Sequence, residues 1–281
     1  MKIALIQMVS GVDVQANLRQ ARVLAESAAQ AGAELLVLPE YFCLMGHADV
    51  DKLAIGEVNG QGPLQQFLAD VAQDFGVWLV GGTIPLKHSK NMNVTSPSPE
   101  QERVCNSSLV FSPEGICVAR YDKIHLFRFD NGQERYDESQ VLEAGSAPVT
   151  FDLLSKDGHT WRMGLSVCYD LRFPELYRAY ATAGAHLMLV PSAFTYTTGQ
   201  DHWEVLLRAR AIENLAFVAA AAQGGLHENQ RRTWGHAMAV DPWGKVLAQR
   251  DQEAGVVLVD LDFDLLSACR NRLPSLQHRV L

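Results

Sequence analysis

Cys168 stands where α/β enzymes place a nucleophile. It ends the apolar run Met163-Gly164-Leu165-Ser166-Val167 and precedes Tyr169-Asp170-Leu171-Arg172-Phe173-Pro174-Glu175, in which Pro174 and Glu175 mark a helix start. A thiol at its ordinary pKa is mostly protonated at neutral pH, so its attack on a carbonyl needs a base or a cationic neighbour. Glu40 follows Leu35-Leu36-Val37-Leu38-Pro39, a buried-strand pattern in which desolvation moves a carboxyl towards the range of a general base. Lys123 follows a strand pattern over 116–121 and offers its ammonium to a developing oxyanion. Each has a plainer reading. A free cysteine is commonly an apolar core residue, Glu40 suits a loop or a helix cap, and Lys123 suits a solvated strand end. His125 and His186, the usual proton partners of a thiol, lie in runs that packing explains as well. Spacing alone does not bring Glu40, Lys123 and Cys168 together.

The elements that must position these residues follow a strand-helix-strand order, given twice. Residues 2–8 read as a strand, 15–31 as a helix (Leu18, Ala21, Val23, Leu24, Ala28) stopped by Gly32, and 34–38 as a strand ending at Pro39-Glu40. Residues 161–167, 174–183 and 186–190 repeat that order, with Gly184 as the stop and Pro191-Ser192 at the end. Strands this apolar must be covered on both faces, which points to a sheet-on-sheet core flanked by helices. Between the halves lie a helix over 64–75, a strand over 78–84, and strands over 106–111 and 116–121 joined by Ser112-Pro113-Glu114-Gly115. The Ser/Pro-rich stretch 93–101 reads as a disordered loop, not a domain boundary. A loop over 194–200 precedes a helix over 201–214, then alternating segments over 215–223, 235–241 and 256–260, with a turn at Asp241-Pro242-Trp243-Gly244.

Composition narrows the function classes. The 281 residues, 48% hydrophobic and 20% charged, suffice for a large core. Lys plus Arg number 24 against 32 Asp plus Glu, a formal net charge of -8 without a basic block, which argues against nucleic acid as a partner. The first residues lack a signal-peptide cleavage pattern, and no apolar run reaches the roughly 18 residues of a membrane span. Five scattered cysteines without a CxxC pair suggest reduced thiols, hence the cytoplasm, and argue against a zinc cage.

Three separated segments then carry a resemblance. LPEYF around Glu40, YDKIHLF around Lys123 and GLSVCYDLRFPELYR around Cys168 occur in the order and context of the nitrilase superfamily, the carbon-nitrogen hydrolases. The similarity runs on through PSAFTYTTGQDHWEVLLRARAIEN and TWGHAMAVDPWG, so it covers essentially the whole chain. It implies an α/β fold, a four-layer α-β-β-α sandwich with internal pseudo-symmetry, as one domain over residues 1–281. It also implies a Glu40-Lys123-Cys168 triad working without cofactor or metal on a small-molecule amide. Glu138 resembles a further carboxylate of the family, with Glu134, Glu143 and Asp137 as nearby alternatives. In the implied mechanism Glu40 moves the protons, while Lys123 and the Tyr169 N–H hold the oxyanion.

Within the superfamily, the chain most resembles the branch that cleaves deaminated glutathione to 2-oxoglutarate and cysteinylglycine. An ω-amidase acting on 2-oxoglutaramate is the nearest alternative, another small-amide or carbamoyl hydrolase of the superfamily the next, and a non-catalytic binding module or thiol sensor is the alternative outside enzymes. Arg172, four residues after Cys168, suits an anion clamp or a structural tie. Thr195, Thr197, Thr198, Arg231 and Arg232 fall on expected loops and suit specificity elements or ordinary polar positions. Tyr41, Phe42 and Trp234 suit a pocket wall or packing. The expected helix 203–214, with Leu206, Leu207, Ala211 and Ile212, and the helix 174–183 offer a surface for a homodimer or larger homo-oligomer.

Overall fold

The computed structural model describes residues 1–87 and 103–280, and the Ser/Pro-rich stretch 93–101 lies outside them. Two large sheets face each other. In the first, Lys2–Gln7, Leu35–Val37 and Trp78–Val80 run parallel, with Ile3 opposite Leu35 and Leu35 opposite Trp78. Gly255–Asp260 extends one edge antiparallel. Val104–Phe111 extends the other and itself pairs with Ile84–Lys87 and Cys117–Asp122. In the second, Thr160–Leu165, Leu187–Leu189 and Phe217–Ala220 form the parallel centre. Thr150–Leu154 pairs antiparallel on one side and Met238–Val240 on the other.

Period-two alternation decides which residue faces which layer. Along Lys2–Gln7, Ile3 and Leu5 join the core between the sheets, together with Leu153, Met163, Leu165, Leu187 and Leu189. Ala4 and Ile6 point the other way, against Leu18, Ala21 and Ala25 of the helix Val14–Gln30 and Leu68 and Val71 of the helix Pro63–Phe75. The helices Pro174–Thr182 and Tyr196–Asn214 cover the outer face of the second sheet and bury Tyr177, Tyr180 and Trp203. The result is the α-β-β-α sandwich. Each half has three parallel strands linked through helices, which is the expected pseudo-symmetry.

Two expected boundaries are corrected. The strand over 78–84 is two strands, Trp78–Val80 and Ile84–Lys87, split at Gly81-Gly82. Gly82 has φ 53°, and a Cβ there would collide with the Pro39 carbonyl, so glycine lets this turn lie against the residue before Glu40. The segment 194–200 is not all loop, because the helix Tyr196–Asn214 already contains Thr197 and Thr198. Its weak first turn is held from outside. Gly199 packs where a Cβ would meet the Trp234 side chain, and the Thr195 and Thr198 hydroxyls lie 2.8 Å apart. On the same helix Leu207 and Ala211 belong to the chain's own core, while Val205 and Ile212 face outward, 66% and 47% exposed.

Candidate active site

Strand ends from both sheets converge on one point. Glu40 follows the strand Leu35–Val37, Lys123 follows Cys117–Asp122, and Cys168 follows Thr160–Leu165. Cys168 has φ 48° and Tyr41 has φ 56°, left-handed values that cost a non-glycine residue about 1–2 kcal/mol. Neighbouring hydrogen bonds hold both turns. The Cys168 N–H donates to the Pro191 carbonyl at 3.0 Å, and the Tyr41 N–H donates to Thr83 Oγ1 at 2.9 Å.

Asp170 ties the Cys168 turn to the Lys123 segment. Its buried carboxylate accepts the Val167 N–H at 2.9 Å and the Tyr121 hydroxyl at 2.6 Å on Oδ2, and the His125 N–H at 3.0 Å on Oδ1. The His125 ring lies 2.7 Å from the same Oδ1 and stacks on Phe173. His125 is therefore a brace for the loop and not a proton partner of the thiol. His186 lies elsewhere, with Nδ1 accepting the Arg162 N–H at 3.0 Å.

Lys123 is the hub. Its Nζ donates to Glu40 Oε1 at 3.0 Å and to Glu138 Oε1 and Oε2 at 3.0 and 2.8 Å. Glu40, Lys123, Glu138 and Cys168 are 1%, 1%, 8% and 8% exposed. Asn106 Nδ2 donates to Glu40 Oε1 at 2.8 Å and the Ala193 N–H to Oε2 at 2.9 Å, while the Phe127 N–H and the Tyr41 hydroxyl complete Glu138 at 2.7 and 2.8 Å. Buried charge is tolerated only when paired and hydrogen-bonded in this way. Burial alone would lower the Lys123 pKa, but the carboxylates of Glu138 and Glu40 outweigh it and raise it above the lysine range. Burial first, then the Glu40 carboxylate, pushes the Cys168 thiol well above its ordinary value, with Lys123 pulling the other way. The resting site thus holds a neutral thiol beside a carboxylate-ammonium-carboxylate bridge.

A pocket opens on this cluster, lined by Glu40, Phe127, Glu138, Cys168, Tyr169, Ala193, Phe194, Thr195, Thr198 and Arg231. The Tyr169 N–H has no acceptor among the described residues, as befits a donor in the first turn of a short 3-10 helix. Arg172 does not line the pocket. Its guanidinium lies over the rings of Tyr169 and Phe194, which do line it, and 3.3 Å from His202 Nδ1. Tyr41 stands behind the wall, donating to Glu138, and Phe42 is buried in the outer core. The alternatives to Glu138 sit apart from Lys123: Glu134 accepts from Thr197, Asp137 caps Ser139, and Glu143 lies on the edge strand Leu142–Glu143. Arg232 is exposed over Tyr196, and Trp234 packs at Gly199. Sequence reasoning missed Asn106 and Asp170.

Fold and site together define a carbon-nitrogen hydrolase. The pattern of that family matches residues 2–271, and the chain belongs to it. It is an enzyme that hydrolyses carbon-nitrogen bonds. Across 98% of its length it is 40% identical to the deaminated glutathione amidase of Yersinia enterocolitica, covering 92% of that protein. It is 33% identical to omega-amidase NIT2-B of Xenopus laevis, over 99% of this chain and 94% of that one. The crystal structure of Saccharomyces cerevisiae Nit3, a member of branch 10 of the nitrilase superfamily, superposes with a TM-score of 0.82 at 30% identity, over 98% of this chain and 94% of that one.

Proposed function

We propose that this chain is a cytoplasmic, cofactor-independent cysteine amidase, one domain over residues 1–281, that cleaves deaminated glutathione to 2-oxoglutarate and cysteinylglycine. The observation that carries the reaction is the convergence of Cys168, Glu40 and Tyr169 on one pocket, with Lys123 bridging Glu40 to Glu138. The 40% identity to the Yersinia enterocolitica amidase supports the substrate.

The thiol of Cys168 gives its proton to Glu40 as Sγ attacks the amide carbon, and the carbonyl π pair moves onto oxygen. The Tyr169 N–H takes that oxyanion. All three Lys123 N–H groups are engaged at rest, but protonation of Glu40 weakens its hold on one of them. That N–H is released as the oxyanion forms, and such a donor supplies about 3–4 kcal/mol. Collapse breaks the carbon-nitrogen bond, Glu40 returns the proton to the departing amine, and a thioester remains. Water then loses a proton to Glu40 and adds to the thioester. Collapse of this second intermediate expels the Cys168 thiolate, which recovers the proton, and the acid leaves.

The test compares cysteinylglycine release from deaminated glutathione with ammonia release from 2-oxoglutaramate. A higher kcat/KM on the former supports the reading. Equal or better activity on 2-oxoglutaramate moves the assignment to an ω-amidase, the reading favoured by the Xenopus laevis relative. Activity on neither substrate, with the fold intact, moves the assignment to another small-amide or carbamoyl hydrolase of the superfamily. We further propose a homodimer through the helices Pro174–Thr182 and Tyr196–Asn214, where Val205 and Ile212 remain outward. Light scattering showing only a 31.0 kDa species would remove the dimer.

A further inference from the structure

Arg231 is the cationic residue on the pocket wall, and its guanidinium makes no hydrogen bond or ion pair among the described residues. Its Nε is buried without a partner. Glu40 and Glu138, the carboxylates that share the pocket with it, are both committed to Lys123. A guanidinium whose Nε is buried without an acceptor is costly unless a ligand completes it. Its placement is firm. The Arg231 N–H donates to Asn229 Oδ1 at 2.9 Å, Asn229 Nδ2 reaches the Gly46 carbonyl at 2.6 Å, and the guanidinium stacks 4.9 Å over the Tyr136 ring.

We propose that Arg231 receives a carboxylate at the far end of the substrate's acyl chain, so that the enzyme selects amides of short dicarboxylic acids. The proposal rests on the reading of Cys168 as the nucleophile that becomes acylated, and it deepens the substrate assignment. The acyl half is the part that stays through both chemical steps, whereas the amine must escape to solvent. The planar fork of arginine matches a carboxylate bidentately, with Thr195 and Thr198 beside it on the wall.

The test uses glutaramate and its methyl ester, which share the reacting amide and differ in the distal charge, with ammonia release as the readout. The wild type prefers glutaramate. Arg231→Met removes about a hundredfold of kcat/KM on glutaramate, mainly through KM, and changes the ester by less than about threefold. Arg231→Lys keeps charge but loses the fork, so its preference for the acid falls about tenfold; it carries the test alone if the Met variant does not fold. Equal losses on both compounds, or an undiminished preference for the acid, would overturn the proposal. Wild-type inactivity on deaminated glutathione with Arg231-dependent selectivity intact would overturn the substrate reading and support this one.

Discussion

Asn106 Nδ2 and Glu40 Oε1 lie 2.8 Å apart, and the same oxygen accepts Lys123 Nζ at 3.0 Å. Two donors on one oxygen, with the Ala193 N–H on the other, fix the plane of the carboxylate that, in the proposed mechanism, exchanges protons with Cys168. The Asn106 carbonyl also accepts the Lys123 N–H at 3.0 Å, so one residue on Val104–Phe111 sets the backbone of Lys123 and the side chain of Glu40.

Asn106→Ala removes the side-chain bond and keeps the backbone one. A hydrogen bond to a charged group is worth about 1.5–3 kcal/mol, so kcat should fall roughly tenfold to a hundredfold with little change in KM. Asn106→Asp should be worse, because it sets a further carboxylate against Glu40. Steady-state kinetics on deaminated glutathione decide this, and an unchanged kcat in the Ala variant would remove the positioning role.

Glu138 and Tyr41 make a graded pair. Glu138→Gln keeps the shape but takes one charge from the Lys123 bridge, and kcat should drop about a hundredfold with the thermal midpoint shifted by only a few degrees. Tyr41→Phe removes one of the donors to Glu138, so a loss of about tenfold or less is expected. The reverse order of severity would show that the tyrosine, and not the carboxylate, governs Lys123.

Acid should loosen the fold through two histidines. Burial holds the pKa values of His186 and His227 down to about 4, against 6.5 for a free imidazole. The unfolded chain therefore takes up these protons first as pH falls from about 6.5 towards 4, and stability drops across that window. His227 is 1% exposed, with Nδ1 donating to the Ser10 carbonyl at 2.9 Å and Nε2 at 2.7 Å from Thr233 Oγ1, an arrangement that suits the neutral ring. Thermal unfolding followed from pH 7 to pH 4 should show the midpoint falling by several degrees, and His227→Gln should make the fall shallower. A midpoint flat across this range would contradict the assignment.

The parallel strands were readable from the chain because burial on both faces turns them into apolar runs bounded by glycine and proline. Glu40 and Lys123 owed their prominence to strand ends and to the family resemblance, since nothing local brings them within 3.0 Å. Asn106 could not be read that way, because a polar residue inside an apolar strand looks like a solvent-facing position until the partner strands are known. The helix start at Tyr196 was hidden by Thr-Thr-Gly, whose weak propensity is overridden by packing on Trp234. Arg172 read equally as an anion clamp or a structural tie and Arg231 as a specificity element or an ordinary loop residue; the fold sets Arg172 over the rings of Tyr169 and Phe194 beside His202, and places Arg231 on the pocket wall.

The central claim is a thioester on Cys168, and acid quenching during turnover of deaminated glutathione tests it most directly. Intact-protein mass spectrometry should show an increase equal to one 2-oxoglutaryl group, mapped by digestion to the peptide containing Cys168, and Cys168→Ala should show neither adduct nor turnover while remaining folded. An acyl group on another residue, or amide hydrolysis that survives in Cys168→Ala, would contradict it.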